Sequence, residues 1–180
     1  MKVLSIDVGL RNLASCFLEV ASLPLPQEGF PASARSHVRI LDWGVVDATA
    51  GGGRPSVDEA CDGVYARLDE LLDAHGMPDV VLIENQPCMR NPIMKSVQVM
   101  IYSYYRMLTR TSGADIRVHF VNASLKLTGL VPRGAGATYK DRKVASVAAV
   151  SEWLPPGAKK RDDLADCLLQ ALQWLLREKS

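Results

Sequence analysis

The chain has 180 residues, 48% hydrophobic and 23% charged, which suits one domain with a proper core over residues 1–180 and leaves little room for a second. Its cysteines, Cys16, Cys61, Cys88 and Cys167, show neither Cys-x-x-Cys pairing nor a histidine at zinc spacing, which argues against a structural zinc site. No basic-then-apolar leader is read before the first strand and no apolar run approaches the roughly 18 residues of a membrane span, so the expectation is a soluble intracellular protein, cytoplasmic or organellar, with reduced thiols.

The net charge of +1 conceals an asymmetry: residues 1–85 carry 6 basic and 13 acidic side chains, residues 86–180 carry 15 and 7. Carboxylates gathered in one region and a Lys/Arg surface elsewhere suit a polyanionic partner, of which nucleic acid is the commonest.

Residues 2–8 form a mostly apolar β run that includes Asp7, and after the Gly9-Leu10-Arg11-Asn12 turn the segment Leu13–Val20 can pair back as a hairpin. Val38–Val46 offers a third strand. The Pro-rich loop Ser22–Pro31 and the glycine-rich segment Ala50–Pro55 are expected to be exposed and mobile. Ser56-Val57-Asp58-Glu59 has capping-box spacing, and Val57, Cys61, Val64, Leu68, Leu71 and Leu72 continue as the stripe of an amphipathic helix ending near Gly76. Asp79–Glu84 reads as a short strand, wholly apolar before its Glu, of the kind buried at the centre of a sheet. Asn91 and Pro92 open a helix to about Thr111, whose apolar face from Ile93 to Leu108 is wider than one core needs. Part of it, with Met94, Tyr102 and Met107, is expected to pack on a second copy. Ile116–Val121 is a further strand; helices follow from about Tyr139 to Leu154 and from about Arg161 to Arg177. The order βββαβαβαα implies a mixed sheet flanked by helices.

Asp7 and Glu84 interrupt or end apolar strands, where a carboxylate is costly unless a cation or hydrogen bonds compensate. Asp163 and Asp166 lie three apart on one face of the last helix; Asp162 and Asp166, four apart, share a face equally well, so spacing leaves open which of the neighbouring aspartates joins the set. Asp7, Glu84, Asp163 and Asp166 together form the oxygen-rich ligand set that Mg²⁺ prefers, and two such ions can neutralise nucleophile, phosphate and leaving oxygen in phosphodiester hydrolysis. Lys140, Arg142 and Lys143 concentrate charge at a helix start, where a phosphate also finds free backbone donors. Lys159, Lys160 and Arg161 beside the aspartates, and Arg90 and Lys95 after Glu84, are further candidates for phosphate contact. His37, His75 and His119 have no partner at catalytic spacing.

Ser5-Ile6-Asp7-Val8-Gly9-Leu10-Arg11-Asn12, Leu82-Ile83-Glu84-Asn85-Gln86-Pro87, Tyr139-Lys140-Asp141-Arg142-Lys143 and Asp162-Asp163-Leu164-Ala165-Asp166 together resemble the poxvirus-type Holliday junction resolvases, relatives of RuvC and the mitochondrial resolvases. The resemblance spans nearly the whole chain. It implies a ribonuclease H-like α/β fold with a mixed five-stranded sheet, a homodimer built on the helix Ile93–Leu108, and paired nicking of four-way DNA junctions with Mg²⁺, for which Mn²⁺ can substitute, leaving 5′-phosphate and 3′-hydroxyl ends. Motif by motif it assigns Asp7, Glu84, Asp163 and Asp166 as metal ligands, favours Asp163 over Asp162, and makes Lys143 the active-site lysine that steadies phosphate charge or positions water. The position after Glu84, often basic in such resolvases, is Asn85 here. The alternative is a YqgF-type or other ribonuclease H-like nuclease acting on RNA or on branched DNA generally. An actin-like or sugar-kinase module, suggested by Asp7-x-Gly9 alone, would need a second phosphate loop in a duplicated domain.

Overall fold

A computed structural model describes residues 1–49, 56–87, 92–130 and 138–178. Five strands, β1 (Lys2–Asp7), β2 (Leu13–Val20), β3 (Val38–Val46), β4 (Val80–Glu84) and β5 (Arg117–Val121), alternate with four helices, α1 (Val57–His75), α2 (Pro92–Ser112), α3 (Tyr139–Ala149) and α4 (Arg161–Leu175). The expected order βββαβαβαα is the observed one, with two short 3-10 turns added at Ala32–Ser36 and Ala123–Leu125. The Ala50–Pro55 segment, Cys88, Arg90 and Asn91 lie outside the described residues.

The strands form one mixed sheet in the order β3-β2-β1-β4-β5. The hairpin β1–β2 and the pair β2–β3 are antiparallel, whereas β1–β4 and β4–β5 are parallel, joined by crossovers through α1 and α2. The β1–β2 connection demands glycine at one point: a Cβ on Gly9 would sit 2.4 Å from the carbonyl oxygen of Asn12.

Side chains alternate across a strand, and the two faces are covered by different helices. Leu4 and Ile6 of β1 and Val81 and Ile83 of β4 join α1 and α2 through Val64, Leu68, Leu71, Val97, Ile101 and Tyr105. Val3 and Leu82 instead join α4 through Leu164, Leu168 and Leu172. The same alternation that sends Val3 and Leu82 to the α4 face sends Ser5, Asp7 and Glu84 there too. Parallel pairing in the register Ile6↔Ile83 then brings the carboxyl ends of β1 and β4 side by side, beneath the start of α4.

Capping is where the sequence placed it at α1: Ser56 accepts from Glu59 N–H while the Glu59 carboxylate accepts from Ser56 N–H. Thr138 and Asp141 form the same reciprocal cap on α3. Three expectations are corrected. The Ser22–Pro31 loop is anchored, because Leu25 is buried and Leu23 and Phe30 pack on the α4-side core, so its apolar residues hold it down. Val57 is exposed rather than part of the α1 stripe, since it occupies the first helical position, ahead of the turns that reach the sheet. And α3 ends at Ala149, not near Leu154; Ser151 and Trp153 donate to Ala148 and Val150 in tighter three-residue turns.

Candidate active site

Three of the four expected carboxylates meet at one atom. The ammonium of Lys126 donates to Asp7 Oδ1 at 2.9 Å, Glu84 Oε1 at 3.2 Å and Asp166 Oδ2 at 3.4 Å, so β1, β4 and α4 are joined through a single buried cation. Lys126 ends the 3-10 turn Ala123–Leu125, and its side chain is only 4% exposed.

The electrostatics follow from packing acids in a poorly solvated corner. Burial alone opposes ionisation of Asp7, but a hydrogen bond from Glu84 and the charge and hydrogen bond of Lys126 overcome it and hold Asp7 below the usual carboxylate range. Glu84 goes the other way: burial, and then the Asp7 hydrogen bond and charge, push it up to about 8, so at neutral pH it is largely protonated and shares its proton with Asp7. Burial also raises Asp166, against the pull of Lys126 and a hydrogen bond from the Ser146 hydroxyl. Burial would lower Lys126, yet the charges of Asp7, Glu84 and Asp166 raise it instead, so it stays an ammonium. The second oxygen of Glu84, Oε2, accepts from Gln86 Nε2 at 2.8 Å, and Gln86 is tied in turn through its backbone N–H to Gln98 Oε1 of α2.

The neighbouring aspartates of α4 differ in what they do. Asp162 is ion-paired with Lys143; although burial raises it, the lysine's hydrogen bond prevails and holds it below the usual range. Asp163 is raised by burial and by Asp162, feels Asp7 in the same sense, and is eased down by Lys143 and Lys160. Asp163 and Lys143 are thus within electrostatic reach of the Asp7 corner, while Asp162 is committed to the lysine.

Beneath this cluster Gln170, one turn beyond Asp166 on α4, lies fully buried with Nε2 at 3.1 Å from Ser5 Oγ, 3.2 Å from Ile6 O and 3.3 Å from Leu82 O. One side chain therefore spans the helix that carries Asp166 and both strands that carry Asp7 and Glu84. Trp43 Nε1 of β3 donates to Leu164 O, fixing the start of α4 from the other side.

The proposed phosphate contacts occupy exposed positions: Lys140 and Arg142 at the start of α3, and Lys159, Lys160 and Arg161 at the start of α4. Lys160 has φ of 53°, a left-handed conformation at the helix entry that side-chain-bearing residues seldom adopt. Lys95 reaches Asn85 Oδ1 at 3.2 Å and Gln98 Oε1 at 3.1 Å, beside the end of β4. A cleft of about 370 Å³ opens next to the cluster along β5, lined by His119, Asn122, Leu125, Thr128, Trp174 and Arg177 among others, and the carboxylates lie outside it. On α2, Val97, Ile101 and Tyr105 are buried, whereas Val99 and Met107 are 48% and 60% exposed, and the exposed ring of Phe120 lies against Tyr102.

The donors suit a hard divalent cation: they are all carboxylate oxygens, and they crowd so closely that they require positive charge among them. Among the described residues no group of three or more His, Cys, Asp or Glu side chains is poised to hold a metal ion; what three of them enclose is Lys126. Sequence reasoning missed Lys126, Ser146 and Gln170. The available signal for Lys126 was its place between Leu125 and Leu127, both packed on the core.

A model of the family described as Poxvirus A22 protein matches residues 1–178. The Holliday junction resolvase of vaccinia virus (strain Ankara) is 26% identical over 182 residues, covering 97% of this chain and 75% of that protein. Among solved structures, the RuvC of Thermus thermophilus superposes with a TM-score of 0.61 at 18% identity over 96% of this chain and 92% of that one. The fowlpox virus resolvase in complex with substrate Holliday junction DNA gives a TM-score of 0.55 at 17% identity over 97% of each chain. The fold is therefore that of the RuvC-like, ribonuclease H-like proteins. Among the described residues, no helix is long and apolar enough to cross a membrane.

Proposed function

Because the chain belongs to the poxvirus A22 protein family, we propose that it is a Holliday junction resolvase, a metal-dependent endonuclease that cuts paired strands of four-way DNA junctions. The observation that carries this reading is the convergence of Asp7, Glu84 and Asp166, from β1, β4 and α4, on a single buried cation. The same kind of substrate is named for the fowlpox relative.

Asp7, Glu84, Asp163 and Asp166 would hold Mg²⁺, two ions per site, with Mn²⁺ as a substitute. When bound, the ions supply charge neutralisation at the scissile phosphate and an activated water. The chain's own residues do the rest. Gln170 and Trp43 keep α4 at a fixed distance from the strands, so the carboxylates are pre-positioned rather than recruited. Lys143, held by Asp162 at the rim, offers a positive charge to the nonbridging oxygens as the phosphate becomes more negative. The exposed Lys140, Arg142, Lys159, Lys160 and Arg161 receive flanking phosphates, with Lys95 and Arg90 beyond the Glu84 strand. That contact is sequence-independent, as recognition of a junction by its shape requires.

Two symmetric cuts need two sites, and the apolar surface left on α2 at Val99 and Met107, with Tyr102 and Phe120 beside it, is the face we assign to a homodimer whose two-fold axis matches that of the junction. The cuts would leave 5′-phosphate and 3′-hydroxyl ends. A gel assay with a synthetic four-way junction, linear duplex and an RNA-containing duplex, each with and without Mg²⁺, tests the reading. Symmetric nicks in the junction alone, dependent on Mg²⁺ and absent in Asp7→Asn, are expected. Equal cutting of all three substrates, or undiminished cutting by Asp7→Asn, would overturn it.

A further inference from the structure

We propose that Lys126 is a resident cation which a divalent metal must displace: its ammonium holds the carboxylates together in the metal-free protein and sets the affinity for the ion that replaces it. The inference rests on the metal-dependent reading above and concerns how the same site is loaded.

The geometry leaves little alternative. Lys126 Nζ lies 2.9, 3.2 and 3.4 Å from oxygens of Asp7, Glu84 and Asp166, and a magnesium ion requires such oxygens at about 2.0–2.1 Å. An ammonium and a divalent ion among the same three carboxylates would repel each other at a separation of a few ångströms in a poorly solvated corner. Nor can Glu84 serve the metal with its other oxygen at no cost. Oε1 already accepts from Lys126 and Oε2 from Gln86, so a metal bound through either oxygen competes with a hydrogen bond already made there. Gln86 is also fastened to Gln98, a fully buried side chain of α2, whereas Lys126 stands at the end of a long flexible stem. The lysine is the partner that yields.

The consequence is a site assembled before metal arrives. Without a cation, the acids on β1, β4 and α4 would repel one another; with Lys126 among them the metal-free fold keeps them converged, and loading exchanges one cation for another.

Mn²⁺ binding is measured by electron paramagnetic resonance on the full-length chain without DNA, comparing wild type with Lys126→Met. Removing the competing charge is expected to tighten Mn²⁺ binding by about tenfold or more, and to make the metal-free variant the less heat-stable of the two until Mn²⁺ is added. Equal or weaker binding by the variant, with binding by the wild type intact, overturns the exchange and leaves the metal reading standing. Absence of binding in both proteins overturns both.

A second measurement avoids the variant. Reductive methylation of the wild-type protein, read by mass spectrometry, should label Lys126 poorly without metal and increasingly as Mg²⁺ is added, because the expelled amine gains access to solvent. Labelling that stays constant or falls overturns the proposal.

Discussion

Two faces of the same short strands have opposite characters. On β1 and β4, Leu4, Ile6, Val81 and Ile83 point to α1 and α2 and build an uninterrupted apolar layer, while the residues between them, Val3, Ser5 and Asp7, and Val80, Leu82 and Glu84, face α4 and change from apolar to acidic along the strand. A one-residue slip in register would exchange the two sets. The first face supplies the cohesion that lets the second carry buried carboxylates gathered around a lysine, so stability and chemistry are divided by parity rather than by segment.

The strongest way to break that division is to alter neighbours on opposite faces. Asp7→Asn is expected to lower junction cleavage by roughly a thousandfold, the equivalent of several kcal/mol of lost charge stabilisation, while its circular dichroism stays that of the folded protein. Ile6→Ala, one residue away, should cost about 2–5 kcal/mol in urea unfolding through the cavity it leaves, with cleavage by the folded fraction largely retained. An Asp7→Asn protein that is unfolded, or an Ile6→Ala protein as stable as wild type, would show that the faces do not separate these roles.

Next in size is the bridge between the faces' shared strands and α4. Gln170→Leu removes the hydrogen bonds to Ser5, Ile6 and Leu82 and leaves those buried acceptors with one partner fewer, a loss of about 1–3 kcal/mol. It should also weaken Mn²⁺ binding, because Asp166 loses its fixed distance from Asp7 and Glu84. A variant weakened in stability alone would make Gln170 an ordinary core residue.

Much of this division was legible before the structure. The apolar runs that end in Asp7 and Glu84 announced two adjacent strands, and counting alternate residues back from either acid lands on Ser5 and Leu82, the pair Gln170 joins. The capping box at Ser56 fixed the start of α1 to the residue, and the four motifs together pointed to the family. Spacing alone could not rank Asp162 against Asp163, because both positions lie on helix faces that include Asp166; the ion pair to Lys143 now occupies Asp162, a contact between α3 and α4 that no local pattern encodes. Lys126 was hard to read for the same reason, its flanking leucines being the one local signal. It is 119 residues from Asp7 and 40 from Asp166, between the fifth strand and the Tyr139 helix where no element was expected, and its burial is a product of tertiary packing. The anchored Ser22–Pro31 loop was misjudged because its prolines and glycine outweighed Leu23, Leu25 and Phe30.

A smaller effect examines the outer surface of α2 against its inner one. Val97, Ile101 and Tyr105 support the fold from within, whereas Met107 is exposed. Met107→Glu should leave the melting temperature of the protomer nearly unchanged, as surface substitutions do, yet shift the molecular mass measured by light scattering toward the monomer at micromolar concentration. Paired nicking should then become single nicking. A dimer that persists would move the two-fold interface elsewhere.

The finest probe of the comparison is pH, because the acids of β1 and β4, Asp7 and Glu84, both lie on the α4 face. Glu84 is raised in the folded protein to about 8, against an ordinary value of 4.5, so between those values the folded chain holds a proton that the unfolded chain has released. Stability from this group is fully present below about 4.5 and declines as pH rises toward about 8. Asp7, held low, acts oppositely and only in acid, where stability falls as pH drops through its depressed value. In EDTA the melting temperature of wild type should therefore decline from pH 5 to pH 8 more steeply than that of Glu84→Gln, whose amide cannot titrate. Metal reverses the preference: binding to Glu84 requires its proton to leave, so near neutral pH Mn²⁺ should release protons, detected as a dependence of the calorimetric heat on buffer ionisation enthalpy, and bind more tightly as pH rises. Parallel melting curves for the two proteins, together with metal binding that releases no proton, would mean that Glu84 is already ionised in the metal-free site and that Lys126 alone balances its charge.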